Sequence, residues 1–253
     1  MPYRRLPNTD QARLRTLKTA VQRASDADFT EQPIPYRMLS EVQQFLLRFE
    51  TEVCQYHDNY NSRVTANKQY RHQVATTRMY ISHFIQVLNM AVQRGEIHKD
   101  KKKLYHLDPD ENTVPDLTTE EDLLKWGQWI IDGEQERTSM GGFPIYNPAI
   151  NKVKVHYDIF KENQCSQTFH RKNTNRTYEN VEQLRKQADQ LIVELWNVIE
   201  GYFATQLPYQ RLCKCKSYGV IYYYRTGEKR LTPETDQRIA DQRAKELTLQ
   251  WSE

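Results

Sequence analysis

Glycine is scarce in this chain: 8 of 253 residues, beside 10 prolines. That excludes a low-complexity chain. Apolar residues are scarce as well, at 38%, whereas a compact globule has roughly 45–50% with glycine counted. The deficit argues against a thick α/β core and for helices that each bury one stripe. Sixteen tyrosines make up part of it, because a buried ring adds apolar area while its hydroxyl stays polar. The four cysteines, Cys54, Cys165, Cys213 and Cys215, have no framework spacing, which fits the reduced thiols of a cytoplasmic protein. Met1–Leu6 has no apolar h-region, so no secretory signal is expected. No apolar run approaches the roughly 18–20 residues of a membrane span.

Motifs that carry a mechanism are also missing. Gly141-Gly142 is an isolated pair with no Lys-Ser/Thr behind it, so there is no phosphate loop. There is no Gly-x-Ser-x-Gly elbow. His57, His72 and His83 never form the His-x3-His pair that sets two ligands one helical turn apart. His83 reads instead as a packed helical side chain. Cys213-Lys214-Cys215 lacks two further ligands nearby. Neither a metal nor a cofactor is expected. Glu134 and Glu136 fall on different helix faces and read as a solvated helix end, not as an acid/base couple.

What is present is a heptad. The apolar seam steps through Val42, Leu46, Phe49, Val53, Tyr56 and Tyr60, and resumes at Tyr70, Val74, Thr77, Ile81, Phe84, Leu88 and Ala91. Steps of four and three residues alternate throughout, with Arg63 and Asn67 keeping phase in the middle. This predicts one long or merely kinked helix from Tyr36 to Arg94, stopped by Gly95. The alternative is a hairpin at the turn-forming residues 58–62. Arg63 and Asn67 should then lie outside the tightly packed core. A second seam, Val181, Leu184, Ala188, Leu191, Leu195, Val198 and Tyr202, predicts a helix from about Thr177 that shares a core with the first.

Punctuation supplies the remaining elements. A first helix opens at Asn8 or Thr9, with Gln11 as a capping partner for Asn8. Thr118-Thr119-Glu120-Glu121 opens a helix that fades after Glu134. Asn147-Pro148 opens another, followed by a polar loop from Thr168 to Asn175. Ser217–Arg225 is the one strong strand signal, with Leu104–Leu107 as its candidate partner strand. Thr232-Pro233-Glu234 starts a terminal helix with a weak stripe, Ile239, Leu247 and Trp251. The expected fold is all-α: an elongated, coiled-coil-like bundle of four to five main helices, one of them very long, with one short strand segment near the C-terminus. Residues 1–35 form a basic helix and a proline-containing linker, and 36–207 form the bundle. Residues 208–230 form a basic, aromatic strand segment, and 231–253 a loosely held tail helix.

Pro2–Asp10, Met79–Val87, Gly141–Pro148 and Tyr218–Arg225 together resemble a family of helical proteins from gut Bacteroidales. The resemblance spans most of residues 1–230. It implies a bacterial source and carries no activity, so it transfers no functional residue.

Charge is unevenly spread. Residues 1–23 and 211–230 each carry six Lys/Arg and one acid, and 107–136 carry ten acids against Lys125. The plain expectation is that these regions balance one another within the fold. The functional expectation is a non-catalytic scaffold that binds another macromolecule, first of all a protein, through Arg4, Arg5, Arg13, Tyr222, Tyr224 and Arg225. Mixed Tyr and Arg suit a hot spot. RNA or DNA is the alternative partner, through the same end with His170-Arg171-Lys172-Asn173 and Lys214/Lys216. An unfamiliar enzyme or small-ligand protein is the third class. Phe143, Tyr146 and Asn147 form the candidate contact loop. No membrane partner is expected, and self-association is left open.

Overall fold

The computed structural model describes residues 2–28 and 31–250, with side chains up to residue 245. In chain order the elements are β1 (Tyr3–Arg4), α1 (Asp10–Asp26), α2 (Tyr36–Gln93), a 3-10 helix (Lys99–Tyr105), α3 (Glu120–Ser139), α4 (Ile150–Tyr202), α5 (Pro208–Ser217), β2 (Tyr222–Tyr223) and α6 (Pro233–Gln250). Among the described residues the protein is all-α apart from one short two-stranded ribbon, as the seams predict.

α2 is one unbroken helix of 58 residues, so the turn-forming residues near 58–62 do not break it. No glycine or proline interrupts it, and an isolated Asp, Asn or Ser only weakens a helix. Arg63 and Asn67 are half-buried, outside the tight core. His83, expected to be packed, is exposed, because Ile81, Phe84, Ile85 and Leu88 take the inner face.

α4 corrects two expectations. It is continuous over 53 residues, so the loop at 168–175 does not exist. The Thr168 and Thr174 hydroxyls donate to the carbonyls of Gln164 and His170 four residues back, which satisfies them inside the helix. The helix also starts at Ile150, past the cis Asn147–Pro148 bond. At the first helix the cap is Thr9, which accepts from the Ala12 amide; Asn8 lies outside.

The C-terminal segment differs most. Residues 208–217 form α5, not strand, and only Tyr222–Tyr223 pairs as β. Pro208 at the first helical position and Gly219 just past the end are the sequence signs of that helix. Gly219 (φ +88°) and Val220 return their amides to Lys216 and Cys215. A Cβ on Gly219 would lie 2.9 Å from the Thr16 carbonyl. The strand's partner is Tyr3–Arg4, antiparallel, with Tyr3 opposite Tyr223 and Arg4 opposite Tyr222. Leu104 and Tyr105 belong to the 3-10 helix, and His106 (φ 58°) turns the chain out of it. α6 is held by Asp236, whose carboxylate accepts from the Tyr209 and Gln210 amides at the start of α5. Ile239 is half-buried; the side chain of Leu247 and the whole of Trp251 lie outside the described residues.

The chain forms two compact units, 1–57 with 176–253, and 58–175. They do not follow the linear division expected from the sequence, because α2 and α4 each contribute to both. In the first unit Phe49 and Val53 of α2 pack with Val181, Leu184 and Ala188 of α4. A second cluster there joins Leu17, Val42, Leu195 and Trp196 to Cys215 and Tyr218. The second unit has its own core of Ile81, Phe84, Leu88, Tyr105, Leu123, Ile130, Val153 and Phe160. α2 passes from one unit to the other between residues 57 and 58, and α4 between residues 175 and 176.

Candidate functional site

In the second unit the site grows from the end of α3. Its N-cap Thr119 accepts from the Asp122 amide and starts the helix in a fixed phase. Leu123, Gly127, Ile130, Glu134 and Arg137 then recur at steps of four and three and are all buried. Glu134, expected in solvent, is therefore on the inner face at 0% exposure, and only Glu136 is exposed. The helix runs five residues past its expected end, to Ser139, and stops at Gly141 (φ +87°). Gly141 and Gly142 donate to the carbonyls of Thr138 and Arg137. A Cβ on Gly142 would come within 2.8 Å of Arg137 Nη1, so the loop closes over the guanidinium only because that residue is glycine.

A buried polar cluster ties the loop down. Arg137 donates from Nε to Glu134 Oε2 (2.9 Å) and to the Tyr105 hydroxyl (2.7 Å). Its Nη2 donates to Glu134 Oε1 (2.8 Å) and to the Phe143 carbonyl (2.8 Å). The Tyr105 hydroxyl donates to Glu134, which also accepts from the Ile145 amide at 3.0 Å. Burial pushes the Tyr105 hydroxyl well above its ordinary pKa, and the bond to Glu134 adds to the shift, so it stays protonated and donates. Burial alone opposes the Arg137 charge, but Glu134 and Tyr105 more than offset it and raise its pKa.

Beside this cluster lies a cavity of about 620 Å³. Val87, Ile97 and Ile145 supply apolar wall, and Arg94, Lys101 and Arg137 supply cations. The volume falls in the roughly 300–1,000 Å³ range of small-molecule sites. Of the expected contact loop, Phe143 and Tyr146 line the cavity and are 87% and 80% exposed, and Asn147 is exposed next to them. Sequence reasoning missed Arg137, Glu134 and Tyr105. The continued step of four and three through 130, 134 and 137 was the signal for the first two.

The other candidate residues lie in the first unit, where the ribbon brings the two ends of the chain together. The Arg225 guanidinium lies 4.0 Å from the centre of the Tyr3 ring, and the Tyr3 and Tyr223 rings are 5.8 Å apart. Arg5 is exposed and, among the described residues, has no side-chain partner. Arg4 donates to Asn197 Oδ1 at 2.7 Å and lies 3.7 Å from Glu200. Tyr222 is half-buried and donates to Glu200; burial first, and that bond second, hold its pKa high. The Tyr224 hydroxyl accepts from the Leu231 amide. Arg13 pairs with Asp189 at 2.7 and 2.9 Å, one turn from the Asp10–Arg185 pair. Arg5, Arg225, Tyr3 and Tyr223 are thus the open part of this face, while Arg4, Arg13, Tyr222 and Tyr224 are engaged within the fold. His170–Asn173 lies inside α4, in the other unit.

Among the described residues no group of three or more His, Cys, Asp or Glu is placed to hold a metal ion, and no helix is long and apolar enough to cross a membrane. Cys213 is exposed and Cys215 buried on α5, two residues apart and on different faces. Comparison with known proteins finds no family model that matches the chain, no matching curated protein and no matching solved structure.

Proposed function

We propose that the chain is a cytoplasmic, non-catalytic helical protein that binds another protein through the ribbon face of its first unit. The observation that carries this reading is the pairing of Tyr3–Arg4 with Tyr222–Tyr223, which sets Arg5, Arg225, Tyr3 and Tyr223 on one exposed patch. Tyr and Arg bury area and hydrogen-bond at modest entropy cost, which favours them as anchors. The patch is basic, with Lys229 and Arg230 exposed just beyond it, so the fitting partner presents carboxylates around an apolar anchor. The resemblance to helical proteins of gut Bacteroidales belongs to the same reading and adds no activity to it.

The test is capture by the immobilised full chain from a lysate of its native host, with and without nuclease, beside a double variant, Arg5→Ala with Tyr223→Ala. Nuclease-resistant capture that the variant loses at an unchanged melting temperature supports the reading. A lowered melting temperature with capture intact makes these residues structural and ends it. Capture that nuclease abolishes, and that falls steeply with salt through counterion release, favours RNA or DNA instead. A second reading, a small-ligand protein, is favoured by the cavity beside Arg137 in the other unit.

A further inference from the structure

The guanidinium of Arg137 has five N–H donors. Nε serves Glu134 and Tyr105, and the two hydrogens of Nη2 serve Glu134 and the Phe143 carbonyl. Both hydrogens of Nη1 have no acceptor among the described residues. The side chain is only 4% exposed, yet Nη1 is not fully sealed from solvent, and the residue lines the cavity. A buried guanidinium therefore leaves one NH2 group unused at the edge of a cavity whose wall is part apolar and part charged. Leaving such a donor unpaired costs free energy that an acceptor in the cavity would recover.

The charge balance there identifies the acceptor. Glu134 neutralises Arg137 and Glu96 neutralises Arg94. Lys101 has no carboxylate partner among the described residues; its Nζ meets only the Met140 sulfur, at 3.4 Å. The cavity thus has one uncompensated positive charge at its rim and one unused charge-assisted donor in its wall. Val87, Ile97 and Ile145 form apolar surface, and the exposed rings of Phe143 and Tyr146 stand at the edge.

We infer that this cavity binds a small organic monocarboxylate with an apolar, ring-sized body. The carboxylate accepts from Arg137 Nη1 and faces the Lys101 ammonium, and the body lies on the apolar wall within reach of Phe143 and Tyr146. Inorganic phosphate has the charge but no body to fill the space. A neutral amide of the same shape has the body but no charge. The site is separate from the ribbon face, and either can fail without the other.

Titration calorimetry of the full chain with phenylacetate, indole-3-acetate and octanoate tests this, with phenylacetamide and inorganic phosphate as controls. The expected result is saturable one-to-one binding of at least one acid, with neither control competing at equal concentration. Lys101→Glu, at an exposed position, should weaken binding about tenfold by reversing the rim charge, with the melting temperature unchanged. Arg137→Lys should abolish binding. If that variant does not fold, Lys101→Glu still decides. No saturable binding by any of the three acids at millimolar concentration overturns the inference. So does equal binding of acid and amide, displacement by phosphate, or unchanged affinity in Lys101→Glu.

Discussion

Glu134 is fully buried and serves four donors at once: Nε and Nη2 of Arg137, the Tyr105 hydroxyl and the Ile145 amide. Removing a carboxylate of this kind leaves its cation buried without compensation, at a cost of about 3–5 kcal/mol. Glu134→Ala should therefore lower the urea midpoint sharply and release the loop at 141–148. The exposed Arg94–Glu96 pair has equally short bonds, 2.6 and 2.9 Å, yet Glu96→Ala should barely move the midpoint, because water already solvates both groups. Parallel urea melts of the two variants check this. The buried position of Glu134 was legible in the step from Ile130, but its partners were not. Tyr105 arrives from the 3-10 helix and the Ile145 amide from the loop, and no local pattern links either to α3.

At the scale of elements, α4 shows how far a helix persists without strong local support. Residues 168–175 are polar but for the exposed Phe169, yet they contain neither glycine nor proline, and the seam keeps phase through the buried Thr174 and Thr177 to Val181. A proline at an exposed position tests this continuity. Lys172→Pro should cost about 3 kcal/mol or more and reduce the helical circular dichroism signal, because it removes a helix hydrogen bond and clashes with the preceding turn. In a loop the same change would be nearly neutral. α5 is the opposite case. Its ten residues bury little beyond Leu212 and Cys215, and Asp236 of α6 caps it from outside its own sequence. The tyrosine-rich run after it has strong strand propensity, but only two of its residues find a partner strand.

At the scale of the whole molecule, charge is balanced inside each unit. The basic N-terminus pairs locally, Arg4 with Glu200, Arg13 with Asp189 and Lys18 with Glu50. In the other unit Asp110 pairs with Lys99, and Lys102 donates to the Glu111 carbonyl. Burial raises the pKa of Cys215 and of Tyr70, Tyr105, Tyr157, Tyr218 and Tyr222. Each stays protonated in the folded chain at a pH where the unfolded chain has released its proton. Their contribution is complete below the unfolded values, about 8.5 for a thiol and 10 for a phenol, and is lost as pH rises through the folded ones. Lys102 acts in the other direction, because burial lowers its pKa and the folded chain releases its proton first. Six acids against one base leave a net loss. Melting temperature should therefore fall progressively between about pH 9 and 11, as thermal melts across that range will show; a flat profile would contradict it.

The sequence by itself determined the helical class, the phase of α2, its stop at Gly95, and the core that α2 shares with the C-terminal part of α4. These follow from the 3–4 repeat and from glycine placement, which act over a few residues and need no distant partner. Tertiary structure decided the pairing of β1 with β2 from the two ends of the chain, the sharing of α2 and α4 between two units, and the polar cluster around Glu134. A strand's backbone groups and a buried charge become favourable only when a partner remote in sequence arrives at hydrogen-bond distance. That distance is a property of the packed chain, not of any segment read alone.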